Sequence, residues 1–313
     1  MPHWIKFLLL ACTATLLAAC GGSDDHGPAP QPLNVVQTAQ ADARFSILAE
    51  AVVAADLAAT LSGPGPFTVF APTNDAFAAL LTELGISKDA LLADKALLTA
   101  VLTYHVLPSR VLRAEVPAGR AITTVQGGIF KVDPVGANLV ITDGRNRTSR
   151  ITATDLAATN GVIHVVDAVI LPANRDIVQT AQSLADFSIL VEAVVAANLQ
   201  GTLSGSGPFT VFAPTNAAFA DLLAELGVSK DELLADVPLL TRVLTYHVLG
   251  TRVLKADVPV GSAITTVEGG SFAIDASLAI TDQRGRSAGI AATDVLASNG
   301  VIHVIDKVIL PAP

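Results

Sequence analysis

Cysteine, charge and aromatic side chains are all scarce in this chain of 313 residues, which has two Cys, 15% charged residues, 4% aromatic residues, one Trp and one Met. Two cysteines exclude a disulfide-dense scaffold. Bases are outnumbered by acids, 19 to 28, for a formal charge of −9. That balance argues against nucleic acid as a partner, because such binding relies on Lys and Arg neutralising phosphates. No His-x-x-x-His, Cys-x-x-Cys or Asp-rich calcium loop occurs, so no metal site is expected. There is no Gly-x-Ser-x-Gly elbow and no phosphate-cradling Gly-x-x-x-x-Gly-Lys either. The expectation is a protein that is not an enzyme and needs no cofactor; only a Ser, His and Asp assembled from distant positions stays open. What is abundant is apolar sequence, 51% of residues. That excludes a disordered chain, and the mean hydropathy of +0.55 raises the question of a membrane.

Residues 1–19 carry one cation, Lys6, followed by an apolar run from Phe7 to Leu17. The run is too short to cross about 30 Å of hydrocarbon and has the form of a secretory signal. It ends in Leu17-Ala18-Ala19-Cys20, which resembles the lipobox of bacterial lipoproteins. The resemblance implies cleavage before Cys20, a diacylglycerol on its thiol and usually an acylated amine; several acyl chains anchor stably where one is marginal. Gly21 stands where an Asp would favour inner-membrane retention, so the outer membrane is expected if the envelope is Gram-negative. Beyond Cys20 every apolar stretch is interrupted within about a dozen residues, so the expected membrane contact is the lipid anchor alone. Residues 20–32 then form a Gly-, Pro- and acid-rich tether with a reach of about 40 Å at most.

The strongest pattern is an internal repeat. Asn34–Phe130 aligns without a gap to Asp176–Phe272, with 71 of 97 positions identical. The match resumes from Leu139–Asp143 to Leu278–Asp282 after the loss of three residues in the second copy. A period near 140 residues indicates two whole domains, since solenoid units are about 20 to 50 residues long. The chain divides into a signal (1–19), a tether with lipidated Cys20 (20–32), a first domain (33–172) and a second (173–313).

In the first copy Asp42 is placed to cap a helix whose inward residues are Phe45, Leu48, Val52 and Val53. Phe67–Phe70 has strand composition. Asn74 is placed to cap a helix that turns Phe77, Leu80, Leu81 and Leu84 inward, and Ser87 to start another. Ser229 and Glu232 have capping-box spacing. A third apolar helix spans about Lys95 to Leu102. After Tyr104 come short strands at 122–125, 130–133, 139–142 and 151–154, and a long closing strand at 162–171. Helices followed by a strand meander make an α+β fold.

Phe67-Thr-Val-Phe-Ala-Pro-Thr-Asn-Asp-Ala-Phe77, Tyr104-His105 and Asn160-Gly-Val-Ile-His-Val-Val-Asp167 resemble the three marker segments of fasciclin domains, and all recur in the second copy. One departure is Asp75, which becomes Ala217. The resemblance implies two tandem domains, each a helical cluster packed on a wedge of short strands. It also implies a role in cell adhesion or extracellular-matrix organisation, through protein or polysaccharide partners. Scaffolding or carriage of a small apolar ligand is the alternative.

By the same resemblance Tyr104, His105, Tyr246 and His247 are candidate partner-binding residues. Their position between an apolar helix and a strand favours a structural role, with the Tyr ring buried and the His satisfying a chain end. His164 and His303, within Ile-His-Val, are expected as core or hydrogen-bonded strand residues, and Asp155 and Asp294 as local caps. Arg145, Arg147 and Arg150 put three guanidinium groups within six residues, which suits a carboxylated or sulfated polysaccharide or else a solvated hairpin tip. The copies differ in charge, 10 bases and 12 acids in the first against 8 and 14 in the second, so equal folds carry unequal fields.

Overall fold

A computed structural model describes residues 32–313. The expected signal, Cys20 and nearly all of the tether lie outside the described residues. In the first repeat the helices are α1 (Val35–Ala41), α2 (Ser46–Ala54), α3 (Ala58–Leu61), α4 (Asn74–Leu84), α5 (Lys88–Ala93) and α6 (Lys95–Tyr104). The strands are β1 (Phe67–Pro72), β2 (Val106–Leu107), β3 (Ile122–Thr123), β4 (Ile129–Val135), β5 (Asn138–Thr142), β6 (Thr148–Ala158) and β7 (Gly161–Val166). The sheet runs β2-β1-β7-β6-β5-β4-β3, and the second repeat reproduces this order. The architecture is α+β, as the order of helical and strand patterns indicates.

All neighbouring strands pair antiparallel except β1 and β7, which run parallel with Val69 beside Ile163, Phe70 beside His164 and Ala71 beside Val165. Every residue of β7 is buried, as expected for a strand covered on both faces. Alternation along it serves two cores. Val69, Ala71, Ile163 and Val165 face the helical cluster with Phe45, Leu48, Phe77, Leu98 and Leu102. Phe70 and Val166 face a second core with Tyr104, Phe130, Val132 and Ile141. There Phe70 meets Phe130 edge-on at 5.1 Å between ring centroids, and Tyr104 meets Phe130 at 5.9 Å. Each such pair adds roughly 0.5–1.5 kcal/mol beyond area burial. Gly161 is required where the two backbones converge, because a Cβ there would lie 2.2 Å from the Phe67 carbonyl oxygen.

Helix starts follow the capping residues, with three differences from expectation. Residues 35–41 are helical, started by a capping box between Asn34 and Gln37. Asp42 caps a single 3₁₀ turn, and α2 begins only at Ser46. Its buried stripe is Leu48, Ala51 and Val52, which turns Val53 outward at 56% exposure. Thr73, not Asn74, caps α4. The Asn74 side chain instead reaches back to the start of α2, accepting from Ile47 N at 3.0 Å and donating to Ala43 O at 2.9 Å. Leu84, in the last turn of α4, is exposed. Ser87 caps as expected, and Ser229 with Glu232 forms the capping box.

The turn residue Asn160 does more than turn the chain. Its Oδ1 accepts from Val35 N at 3.0 Å, and its Nδ2 donates to Leu61 O and Gly63 O, both at 2.8 Å. One amide thus fixes the start of α1, the end of α3 and the β6–β7 hairpin. Asn299 makes the same three bonds in the second repeat and is buried. Replacing Asn160 with Ala leaves three backbone groups without their partner, and we expect a loss of about 3 kcal/mol in urea denaturation. Asn299→Ala, being deeper, should cost more; a change under about 1 kcal/mol in either variant would contradict this role.

Candidate functional site

The Tyr-His pair lies inside each repeat. Tyr104 and Tyr246 are fully buried, and His105 and His247 are 2% exposed. Tyr104 Oη donates to Ile129 O at 2.5 Å and accepts from Gly144 N at 2.8 Å. Burial, with the Asp143 carboxylate nearby, pushes the Tyr104 phenol far above its ordinary range. Tyr246, bonded to Ser271 O and Gln283 N, is pushed up to about 12, chiefly by burial.

His105 Nδ1 lies 2.7 Å from Val101 O and Nε2 accepts from Ile170 N at 3.1 Å, so the neutral Nδ1–H tautomer fits both partners. That bond explains why the closing strand is shorter than its pattern suggests. After Val166 the chain leaves the sheet, yet Val169, Ile170 and Leu171 stay buried. Their backbone needs acceptors; His105 takes Ile170 N and Asp143 Oδ2 takes Leu171 N at 2.9 Å. His247 and Asp282 serve Ile309 N and Leu310 N in the same way. The four residues proposed by resemblance as partner contacts therefore present no surface to a partner, and their geometry is that of the structural alternative.

Asp143 was not singled out by sequence. It is buried, and its Oδ1 accepts from Arg145 N and Arg147 N, each at 2.9 Å. Burial raises its carboxyl pKa, against the backbone donors that favour the anion. The carboxylate shapes the hairpin that carries the arginines and separates them. Arg147 pairs with Glu83 on α4 at 2.9 Å, and the Nε of Arg145 donates to Pro172 O at 3.3 Å. Arg150 stands exposed on β6.

His164 and His303 are buried, and Phe70 and Phe212 lie beside them. His164 Nε2 faces Val111 O and Nδ1 accepts from Asp155 N. Asp155 sits at a bulge in β6 with φ of 60°, and its carboxylate accepts from Arg113 N at 2.9 Å, a local cap as expected. Among the described residues each histidine has both ring nitrogens engaged by backbone, and no cluster of His, Cys, Asp and Glu suited to a metal occurs.

The corresponding bulge in the second repeat is covered by the first repeat. Asp294 is buried and meets the Lys131 ammonium at 2.9 Å, with Asp133 at 3.1 Å from the same nitrogen. Burial opposes the Lys131 charge, but the two carboxylates outweigh it and hold the pKa above the ordinary lysine value. Asn146 pairs with the backbone of Leu296, donating to its carbonyl at 3.0 Å and accepting from its N–H at 2.7 Å. Ile129 packs with Leu254, Leu296 and Val301, and Arg120 meets Asp257 at 3.1 Å. A signal for this junction was present in the repeat alignment. Positions 120, 129, 131 and 146 are Arg, Ile, Lys and Asn in the first copy but Ser262, Ser271, Ala273 and Gly285 in the second.

Apolar cavities of about 150 and 140 Å³ recur at matching places, one between Phe77, Leu91, Leu98 and Leu171, the other between Phe219, Leu233, Leu240 and Leu310. Both are below the roughly 300–1,000 Å³ usual for small-molecule sites.

Residues 43–172 and 185–311 each match the Fasciclin domain. The chain belongs to the fasciclin-domain family. It is 33% identical over 253 residues to the transforming growth factor-beta-induced protein ig-h3 of Sus scrofa, covering 80% of this chain and 35% of that one. It is 28% identical over 261 residues to Homo sapiens periostin, covering 82% and 29%. This fasciclin-domain chain thus spans about a third of the length of those relatives. A Synechocystis protein, sll1735, is 44% identical over 135 residues, 43% of this chain and 97% of that one, so a single repeat accounts for nearly that whole protein. A solved structure of a FAS1 domain pair from the insect cell adhesion molecule fasciclin I aligns with a TM-score of 0.43 at 19% identity, over 88% of this chain and 95% of that chain. No helix of the described residues is long and apolar enough to cross a membrane.

Two measurements test this account. Burial lowers the pKa of His105 and His247 from 6.5 to about 4. Above pH 6.5 both folded and unfolded chains carry these residues neutral. Below it the unfolded chain takes up protons that the folded one refuses, so stability falls from pH 6.5 towards 4, by on the order of 3 kcal/mol per residue. Denaturation midpoints flat across that window would contradict the buried neutral imidazoles. For the junction, Lys131→Ala leaves the Asp294 carboxylate buried and unpaired, at a cost of about 3 kcal/mol. In a double-mutant cycle with Asp294→Asn, the pair should lose at least about 1 kcal/mol less than the sum of the single losses; strict additivity would dissolve the contact.

Proposed function

We propose that the chain is an adhesion or matrix-binding protein of the cell envelope that presents two fasciclin domains to extracellular protein or polysaccharide partners. The observation that carries this reading is the match of both repeats to the Fasciclin domain across most of the chain. Fold alone does not define function, so the reading rests on the family. Two joined repeats add effective concentration on a repetitive partner, so modest affinity in each suffices. The reading as a non-enzyme rests on histidines whose ring nitrogens are all committed to backbone. The carrier alternative is disfavoured by apolar cavities of only about 150 and 140 Å³.

Anchoring through Cys20 completes the proposal: a lipidated cysteine holds the pair at the membrane, exported and, in a Gram-negative envelope, at the outer membrane. Beads coated with residues 33–313 are expected to attach to envelope and matrix material well above beads coated with an unrelated acidic protein. Cells expressing the Cys20→Ala chain are expected to release it from the membrane fraction. Attachment no better than the control would end the adhesion reading, and unchanged fractionation would end the lipid anchor.

A further inference from the structure

One cleft belongs to neither repeat alone. It has a volume of about 470 Å³ and lies where the Gly144–Asn146 hairpin, the connecting residues Asn174 and Arg175, the helix Ile177–Gln182 and the second repeat's strand Ser287–Ala297 come together. Its size is within the roughly 300–1,000 Å³ of small-molecule sites, unlike the apolar cavities. Two of its ten lining residues are arginines, Arg145 and Arg175, and none is Asp or Glu. In a chain with nine more acids than bases, a concave site with cations alone is a local reversal of the overall field.

The donors there are largely uncommitted. Arg145 spends only Nε, on Pro172 O at 3.3 Å, and neither its Nη groups nor the Arg175 guanidinium has an ion-pair partner among the described residues. Asn146 uses one amide hydrogen on Leu296 O, which leaves the other for a ligand. Thr180 and Ser183 both donate their hydroxyl hydrogens to carbonyls of their own segment, so they offer lone pairs only. Leu184, Val295 and Leu296 supply an apolar wall. Guanidinium forks suit the paired oxygens of a carboxylate or a sulfate ester, amides and hydroxyl lone pairs suit sugar hydroxyls, and the apolar wall suits the C–H face of a pyranose ring.

We infer that this cleft binds a short acidic saccharide segment, a uronate or O-sulfate, held by Arg145 and Arg175. The inference deepens the adhesion reading by giving it a site and a partner class. It also divides the three hairpin arginines, since Arg147 is tied to Glu83 and Arg150 lies outside the cleft lining. In the equivalent hairpin of the second repeat Arg284 makes the same bond, from Nε to Pro311 O at 2.9 Å, but Gly285 replaces Asn146, and Gln283 replaces Gly144 and accepts from Ala312 N at 2.9 Å.

Isothermal titration of the chain from Gly21 with trigalacturonate, with its methyl ester and with a sulfated, uronate-free carrageenan disaccharide tests the assignment. Trigalacturonate or the sulfated disaccharide should bind in a salt-sensitive manner, and the comparison tells uronate from sulfate. The uncharged ester should bind at least about 10-fold more weakly than trigalacturonate if uronate is the ligand. Arg175→Ala, an exposed change in the connecting segment, and Arg145→Ala should each weaken binding about 10-fold or more. Arg150→Ala should leave it unchanged. Urea midpoints keep folding separate from binding; if Arg145→Ala unfolds, Arg175→Ala alone decides. Binding by neither acidic saccharide, or wild-type affinity in Arg175→Ala, overturns the cleft whatever the chain's attachment behaviour. Saccharide binding that persists where attachment is absent overturns the adhesion reading alone.

Discussion

A strand buried on both faces has no solvent to satisfy its backbone, so its two neighbours and both covering layers must be in place together. In this protein that strand is β7, with its parallel partner β1, and each repeat is arranged around the pair. Helices cover one face and the curl of the antiparallel strands covers the other, which divides the apolar residues into two cores meeting at a shared wall. Where the chain passes beyond β7 and still runs through the interior, His105 and Asp143 replace a neighbouring strand as acceptors. Of the family's marker residues, His105 thus serves backbone where regular structure stops inside the core.

This placement separates what the repeats share from what distinguishes them. The shared polar residues, Tyr104, His105, Asp143, Asn160 and their second-copy counterparts, are turned inward and committed to backbone. Their loss would strand buried donors and acceptors, which costs more than the bonds themselves are worth. Among the residues that differ, those at 120, 129, 131 and 146 are turned towards the other repeat. The contact between the repeats resides in differences between two similar sequences.

Much of the fold was legible from sequence because its signals are local. Capping residues, apolar periodicity and turn dipeptides located α4 to α6 and the meander, and the repeat marked out the second unit. The errors arose where a side chain acts at a distance. Asn74 has the composition of a cap but reaches 27 residues back to Ile47, which leaves the cap to Thr73. The apolar run 162–171 has strand composition throughout, yet its last part is held by side chains that no local pattern announces. The candidate site was less legible still. Tyr-His and the arginine cluster were conspicuous, but spacing cannot tell that Tyr104 is fully buried or that Arg147 belongs to Glu83. Arg175 carries no sequence signal, since a connector between repeats has no pattern of its own.

The junction joins unlike surfaces: an edge of the first repeat meets a bulge of the second. Such a contact has a polarity, as a plug and socket do. The first repeat has the plug and also a bulge with an exposed Asp155, uncovered among the described residues, though Ala157 stands there in place of Leu296. The second keeps the socket but has lost the plug, with Ser262, Ser271, Ala273 and Gly285 in its place. The order of the repeats therefore carries information that their common fold does not. Exchanged in sequence, the same two units would fold as before but meet as strangers, joined by the connector and little else.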